Sequence, residues 1–201
     1  MPGDHRAAIR LDRTADPVAA IVSMVDASDP LCGTAHLICI DGPSGAGKTT
    51  LARDLADTLA APTVHMDDLY PGWGGLRAGT HRAQEWIVGP LTEGHPARYR
   101  RWDWSADRYA EWVQLPSSEF VVLEGCGSGA LPAGKAASVL VWVEADETVR
   151  KARGIARDAG FAPFWESWAV QERRLYEADR TWERADLLID TTSDQRQRLG
   201  R

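Results

Sequence analysis

A glycine-rich segment at residues 42–49 has the residue types and spacing of a phosphate-binding loop. It runs Gly-Pro-Ser-Gly-Ala-Gly-Lys-Thr and matches the pattern G-x-x-x-x-G-K-S/T in full. A triphosphate is wrapped by backbone N–H groups at a helix N-terminus, so glycines are needed where the chain turns tightly and touches oxygen. Lys48 supplies a charge for the β- and γ-phosphates, and the Thr49 hydroxyl can ligate Mg²⁺. The segment predicts a site for ATP and Mg²⁺, with phosphate contacts from Gly42, Ser44, Gly45, Ala46, Gly47, Lys48, Thr49 and Thr50.

Three carboxylates stand at the ends of two predicted strands. Asp67 and Asp68 follow the apolar run 63–66, and Glu124 closes the run 120–124. Ligands of open α/β sheets bind at the carboxyl ends of the strands, where a carboxylate can take the proton of an attacking hydroxyl. Either Asp67 or Asp68 could be this base, and each could instead cap a turn. Glu124 either holds the water shell of Mg²⁺, which is the favoured interpretation, or caps the next segment.

A predicted helix at 146–159 carries three arginines on one face. Arg150, Arg153 and Arg157 are spaced by three and four residues, which aligns their side chains. Such a stripe is usually a solvated face. Beside a phosphate-binding loop it also suits a lid that closes over the phosphates and excludes water. The lid interpretation is favoured, least strongly for Arg150.

The positioning elements are predicted from hydrophobic periodicity. A helix starts at Pro17, with Thr14 or Asp16 as its cap. Strands are expected at 36–41, 63–66, 120–124, 139–143 and 187–190, and a hairpin at 99–104 and 111–115. Helices are expected after the phosphate-binding loop and at 81–93, 146–159 and 163–184, with a glycine-rich loop or lid at 71–80. Alternating strands and helices predict an α/β fold with a parallel sheet covered on both faces.

Composition narrows the class of protein. The 201 residues carry a formal net charge of -6, which disfavours a protein that coats nucleic acid or an anionic membrane. The 3 cysteines form no C-x-x-C pair, so a disulfide framework and a zinc cluster are disfavoured and a reducing compartment is expected. The apolar run 17–25 is too short to span a bilayer. The chain has no Asn and therefore lacks the N-K-x-D motif of GTPases. A cytoplasmic protein is predicted.

Taken together, these motifs resemble those of the uridine kinase and phosphoribulokinase group of P-loop kinases. The resemblance covers about residues 34–192, with the family's motifs in the family's order. The matching segments are G-P-S-G-A-G-K-T-T at 42–50, M-D-D-L-Y at 66–70, W-D-W at 102–104, V-V-L-E-G at 121–125 and R-K-A-R-G-I-A-R-D at 150–158.

The resemblance implies a P-loop fold with a five-stranded parallel sheet and a small arginine-bearing lid. It divides the chain into an N-terminal helical extension, 1–33, and a kinase domain, 34–201. It implies Asp67 as the general base, and Arg153 and Arg157 as phosphate clamps, with Lys48 on the transferred group. The acceptor site would contain Asp68, Tyr70, Asp103 and Trp104.

The activity implied is transfer of the γ-phosphate of ATP to a hydroxyl group of a nucleoside such as uridine or cytidine. Three alternatives stay open. The first is a kinase whose acceptor is a nucleotide, a vitamin-like alcohol or an antibiotic. The second is a non-catalytic ATP-sensing module, and the third is a degenerate relative with a structural role. The partners expected are ATP and a small hydroxyl-bearing molecule, with no nucleic acid or membrane, and the protein is a monomer or a homo-oligomer.

Tryptophan is unusually frequent, with 9 Trp against 3 Phe. Trp142, Trp165 and Trp168 lie on apolar patterns and are predicted to be core residues. Trp73, Trp102 and Trp104 could form a flat-walled acceptor pocket, and core packing is an equal alternative for Trp102 and Trp104.

Overall fold

A six-stranded parallel sheet positions the predicted site. The computed structural model of the protein describes residues 9–12 and 14–193. The strands of this sheet are β1 (Ile9–Arg10), β2 (His36–Asp41), β3 (Thr63–His65), β6 (Phe120–Glu124), β7 (Ala137–Glu144) and β8 (Leu187–Asp190). Their spatial order is β1-β8-β7-β2-β6-β3, and β4 (Arg98–Asp103) pairs with β5 (Arg108–Gln114) in a separate antiparallel hairpin.

Helices cover both faces of the sheet. They are α1 (Pro17–Asp26), α2 (Lys48–Leu59), α3 (Leu76–Ala83), α4 (Gly89–Thr92), α5 (Glu147–Arg157), α6 (Trp165–Asp179) and α7 (Thr181–Arg184). A π-helical turn, Gln84–Val88, joins α3 to α4, and short 3-10 helices occur at Met66–Asp68, Ala133–Ala136 and Ala159–Phe164. No helix among residues 9–12 and 14–193 is long and apolar enough to cross a membrane.

The central strand β2 shows why the sequence folds into this layered arrangement. Successive strand residues point to opposite faces of a sheet. Leu37 and Cys39 accordingly belong to one core cluster, and Ile38 and Ile40 to the other. Both clusters exclude solvent, so β2 is apolar on both sides and pairs with β6 and β7 through parallel ladders.

The sheet has six strands rather than the predicted five. The additional strand, β1, lies at the edge, where Ile9 and Arg10 pair with Leu187 and Leu188 of β8. Two residues are too few to show an alternating pattern, so the prediction assigned only a helix to this part of the chain. That helix is confirmed as α1, and the Asp16 carboxylate caps it by accepting a hydrogen bond from the Val18 N–H at 3.0 Å.

Two other helix predictions are corrected by the structure. The helix predicted from residue 81 begins five residues earlier, at Leu76, because part of the predicted glycine-rich loop is helical. Gly79 is required there for close packing rather than for a turn, since a Cβ atom would lie 2.3 Å from the Tyr70 ring. The predicted helix 163–184 is divided at Arg180, whose φ of 52° ends α6 before α7 begins.

The packing of α1 leads to a stability prediction. Ile21 is fully buried in the core cluster that α1 shares with α2 and β7. We expect Ile21→Ala to lower the free energy of unfolding by about 2–5 kcal/mol, because it removes apolar contacts and leaves a cavity. Urea unfolding measures this change. Leu31→Ala, at a side chain that is 53% exposed, is the control and should change the free energy by less than about 0.5 kcal/mol. Equal losses in the two variants would contradict the packing assigned to α1.

Candidate functional site

The phosphate-binding loop connects β2 to α2 in a conformation that depends on glycine. Gly42, Gly45 and Gly47 have φ values of 133°, 77° and 101°, which L side chains rarely adopt. A Cβ atom at Gly45 would also lie 2.1 Å from the Arg150 carbonyl oxygen. The helix that follows has no side-chain cap at its N-terminus. Its first N–H groups and its dipole are therefore directed to an anion.

A buried carboxylate, Asp41, anchors this loop to the loop that follows β6. Asp41 has no solvent exposure, and one carboxylate oxygen accepts hydrogen bonds from the N–H groups of Gly42 at 2.6 Å and Gly127 at 2.7 Å. The other oxygen accepts from the Gly129 N–H at 2.9 Å, and the Tyr176 hydroxyl donates to Asp41 at 2.8 Å. The sequence analysis missed Asp41, although an acidic residue at the end of a buried strand was the available signal.

The ammonium group of Lys48 lies under the loop among acidic groups. The residue is buried, and Nζ donates to the Pro43 carbonyl oxygen at 2.9 Å and contacts the Cys126 sulfur at 3.6 Å. Desolvation lowers the pKa of Lys48, but attraction by acidic groups that include Glu124 and Glu172 outweighs it and raises the pKa above its ordinary value. Lys48 therefore stays positively charged in the cleft, as a phosphate ligand must.

Thr49 and Glu124 form an oxygen pair on the floor of the cleft. The Thr49 hydroxyl donates to the Glu124 carboxylate oxygens at 3.2 and 3.4 Å. His65 lies opposite Glu124 in the parallel register of β3 and β6, with Nδ1 at 2.6 Å from Oε1 of Glu124. The hydrogen bond to Glu124 raises the pKa of His65.

This pair of oxygen ligands fits Mg²⁺ in its chemistry. Mg²⁺ is usually bound by one or two protein oxygens, and takes its other ligands from water and substrate phosphates. Among the residues that the structure describes, no group of three or more His, Cys, Asp and Glu side chains could hold a metal by itself. The donor set of Thr49 and Glu124 thus suits a metal that arrives with a nucleotide.

Asp67 and Asp68 share one short 3-10 helix after β3, but they occupy different surroundings. Asp67 lines the cleft that Lys48 and Thr49 line, and its side chain is open to solvent there. Asp68 is half-buried and does not line this cleft; its charged neighbours include His65 and Arg101. The structure therefore separates two carboxylates that the sequence could not distinguish.

The surrounding protein perturbs the proton affinity of Asp67. Desolvation by the cleft walls raises the pKa of Asp67, and repulsion from Glu124 raises it further. Arg157, Lys48 and His65 act in the opposite direction, and the net effect is an increase. A carboxylate with a raised pKa is a stronger base than an ordinary aspartate, and such groups are concentrated at functional sites.

The arginine stripe of α5 has two different environments. Arg153 and Arg157 line the cleft, and the Arg153 guanidinium donates to Thr191, at 2.9 Å to Oγ1 and 2.8 Å to the carbonyl oxygen. Arg150 instead turns towards the phosphate-binding loop, where it donates to the carbonyl oxygens of Ala145 at 3.0 Å and Ser44 at 3.1 Å. Only two of the three arginines are therefore directed at the cleft.

The cleft brings most of the predicted residues together in a volume of about 320 Å³, which lies within the usual range for ligand sites. On the loop side it is lined by Ser44, Gly45, Gly47, Lys48, Thr49 and Thr50. It is also lined by Asp67, Glu124, Arg153 and Arg157. Gly42 and Ala46 are buried beneath it. A separate cavity of about 340 Å³ between Leu31, Val88 and Lys135 contains none of the predicted residues.

Two residues predicted at the acceptor site, Tyr70 and Asp103, do not line this cleft. Tyr70 is 1% exposed, and its hydroxyl donates to the Cys126 carbonyl oxygen at 2.7 Å. Asp103 closes the turn of the β4–β5 hairpin, since Oδ1 accepts from the N–H groups of Ser105 and Ala106, both at 2.9 Å. Trp104 is next to the cleft, because its Nε1 donates to the Asp67 carbonyl oxygen at 3.1 Å.

An aromatic cluster surrounds Trp73 near Asp67. The Trp73 ring stacks on Phe164 at 4.5 Å and on Phe161 at 5.2 Å, and packs at 4.7 Å against Trp104. Trp102 packs edge-on against Tyr109 within the hairpin and is half-buried. The core positions predicted for three other tryptophans are confirmed: Trp142, Trp165 and Trp168 are buried.

Glu172 of α6 is a site residue that the sequence analysis missed. Its side chain is 4% exposed. One carboxylate oxygen accepts hydrogen bonds from the Ser44 N–H at 2.8 Å and from the Cys126 thiol at 3.2 Å. A signal was present, because the buried positions of α6 are Trp165, Trp168, Ala169, Glu172 and Tyr176. A charged residue on an otherwise apolar helical stripe indicates a specific buried partner.

The comparisons with known proteins concern the fold. No protein-family model matches the chain, and no curated protein matches it. Among solved structures, a possible uridine kinase from Bacillus stearothermophilus superimposes with a TM-score of 0.55 and 20% sequence identity, over 85% of this chain and 100% of that one. A candidate fructose transport system kinase from Silicibacter sp. superimposes with a TM-score of 0.53 and 22% identity, over 87% of this chain and 99% of that one.

Both similar structures have P-loop kinase folds, and nearly the whole length of each one aligns with this chain. At 20–22% sequence identity, these superpositions show the architecture alone, and the activity has to be argued from the residues. The predicted α/β architecture, a parallel sheet with helices on both faces, is confirmed. The chain therefore has the fold of the P-loop kinases.

Proposed function

We propose that the protein is an ATP-dependent kinase that transfers the γ-phosphoryl group to a hydroxyl group of a small molecule. The observation that carries this proposal is the position of Asp67, a carboxylate with a raised pKa that lines the same cleft as Lys48. A phosphoryl-transfer site needs a phosphate-binding loop, a cation for the transferred group and a group that receives the hydroxyl proton. The residues that line this one cleft include a candidate for each.

The binding step would use the loop and the floor of the cleft. Backbone N–H groups at the start of α2 and the ammonium of Lys48 would bind the β- and γ-phosphates. Thr49 and Glu124 would hold Mg²⁺, which when bound neutralises charge on the phosphate oxygens. The buried position of Lys48 among acidic groups keeps its ammonium charged and fixed in place.

The transfer step would use Asp67 and the two arginines of α5. As the acceptor oxygen attacks the γ-phosphorus, its proton passes to the Asp67 carboxylate, and the bond to the bridging oxygen of ADP breaks. Arg153 and Arg157 would balance the charge on the phosphoryl oxygens. Arg153 is already held against Thr191, and Arg157 is close enough to lower the pKa of Asp67.

A nucleoside such as uridine or cytidine is the acceptor that we propose first. Support comes from the sequence motifs and from the flat aromatic surface that Trp104 places beside Asp67. Nucleotides, vitamin-like alcohols and antibiotics are the competing acceptors.

Measuring ADP release with each class separately identifies the acceptor. If the protein binds ATP tightly but no acceptor stimulates ADP release, the result would instead indicate an ATP-sensing module.

The base assignment is tested by substitution of the two adjacent aspartates. We expect Asp67→Asn to lower kcat by about 10²- to 10⁴-fold, because the amide cannot take the hydroxyl proton. Binding of Mg-ATP, measured by calorimetry, should persist. Asp68→Asn is the matched control and should retain most of the activity, since Asp68 does not line the cleft. The base would be misassigned if Asp68→Asn were the inactive variant.

The role of Lys48 is tested by measuring both Mg-ATP binding and turnover in one variant. We expect Lys48→Ala to lower kcat/KM by about 10²-fold or more, because the transferring phosphoryl group loses its buried cation. Affinity for Mg-ATP should fall as well, in contrast to Asp67→Asn. Circular dichroism verifies that the variant is folded. Normal turnover by folded Lys48→Ala would refute the proposed site.

The raised pKa of Asp67 predicts a pH dependence of activity. Only the ionised carboxylate can accept a proton, so kcat/KM should fall as pH decreases through the pKa of Asp67. Because this pKa lies above the ordinary value of 3.8, the acidic limb should also lie above that pH. Arg157→Gln should move the limb to higher pH, since Arg157 lowers the pKa of Asp67. A limb that moves to lower pH in Arg157→Gln would contradict the assignment.

A further inference from the structure

Both backbone polar groups of Ser44, the third residue of the phosphate-binding loop, are held by charged side chains. The Ser44 N–H donates to the Glu172 carboxylate at 2.8 Å, and the Ser44 carbonyl oxygen accepts from the Arg150 guanidinium at 3.1 Å. Glu172 belongs to α6 and Arg150 to α5. Two helices thus hold one residue of the loop from its two sides.

The burial of Glu172 indicates that its carboxylate has a specific role. The side chain is 4% exposed on the apolar stripe of α6, where an uncharged residue would avoid the cost of desolvating a carboxylate. What the carboxylate adds is a strong, charge-assisted acceptor for the Ser44 N–H. The carboxylate also accepts a hydrogen bond from the Cys126 thiol at 3.2 Å, and so contacts the residue that follows Glu124-Gly125.

The backbone of α5 also packs directly on the loop. A Cβ atom at Gly45 would lie 2.1 Å from the Arg150 carbonyl oxygen, so the two segments are in contact and cannot shift independently. On α6, Tyr176 is one turn after Glu172, and the hydroxyl that donates to Asp41 also lies 2.9 Å from the Gly42 carbonyl oxygen. The loop conformation therefore depends on the positions of α5 and α6.

We propose that Glu172 and Arg150 are positioning residues that hold the two peptide groups flanking Ser44, so that the phosphate-binding loop keeps its binding shape only while α5 and α6 are packed on it. The same α5 directs Arg153 and Arg157 at the cleft. Helix position and phosphate affinity are coupled through one residue of the loop, Ser44. The inference rests on the proposed function in one respect, the use of ATP as the ligand.

The dissociation constant for Mg-ATP, measured by calorimetry without an acceptor, tests this inference. We expect Glu172→Ala to weaken binding about tenfold or more, because the Ser44 N–H loses a charged partner. Glu172→Gln should stay within about threefold of the unmodified protein, since the amide oxygen can accept the same hydrogen bond. Glu177→Ala changes an exposed residue of the same type on the same helix and should have no effect.

Arg150 provides a second test that does not depend on the stability of the Glu172 variants. Arg150→Met keeps an apolar stem beside the Trp165 ring, which lies 6.0 Å from the guanidinium carbon, but removes the donors. We expect affinity for Mg-ATP to fall about tenfold. In the double variant Glu172→Ala/Arg150→Met, the loss should be smaller than the product of the single losses, because both residues hold the backbone of the same residue, Ser44.

The outcomes separate positioning from a merely structural role. Rescue by Glu172→Gln, with weakened binding in Glu172→Ala at an unchanged thermal unfolding midpoint, supports positioning. Normal affinity in folded Glu172→Ala, affinity in Glu172→Gln as weak as in Glu172→Ala, or fully multiplicative losses would each overturn it.

The unmodified protein tests the proposed function separately. If it binds Mg-ATP but phosphorylates no acceptor, the kinase proposal fails and the binding comparison stands. If it does not bind Mg-ATP, both fail.

Discussion

The buried carboxylate of Asp41 is the interaction on which the rest of the site depends. It binds the N–H groups of Gly42, Gly127 and Gly129, and so joins the loops that leave two neighbouring strands. Burial raises the pKa of Asp41, while these hydrogen bonds act in the opposite direction. A buried carboxyl group needs its acceptor positions filled, so the hydrogen bonds hold both loops in place. The hydroxyl of Tyr176 adds α6 to the same arrangement. Phosphate loop, cleft floor and α6 are thereby fixed relative to one another.

The cleft is balanced electrostatically before any ligand binds. Lys48 lies among acidic groups that keep it charged, and the Thr49 hydroxyl and His65 both contact Glu124. Acidic groups beside a phosphate site would repel the substrate if they were unpaired. Here they lie around the Lys48 ammonium and raise its pKa. Asp67 remains open to the cleft with a raised pKa, which is the property required of a base.

Much of this arrangement could be predicted from local patterns. The order of the elements, the phosphate loop and the carboxylates at strand ends follow from periodicity and motif spacing, and the structure places Asp67 and Glu124 on one cleft with Lys48. Prediction failed where the pattern was short or ambiguous. The two-residue strand β1 is too short to be recognised. The glycine-rich residues before 81 include the start of a helix, in which Gly79 serves close packing against Tyr70 rather than a turn.

The sequence alone determined the chemistry of the loop and the class of fold, because both depend on residues close together in the chain. The tertiary structure decided which like residues differ in role. Arg150 contacts the phosphate-binding loop, whereas Arg153 lines the cleft. Asp67 lines the cleft and Asp68 does not. It also brought Glu172 to Ser44, 128 positions earlier in the chain. Such contacts depend on how helices pack on the sheet, and spacing along the chain does not contain that information.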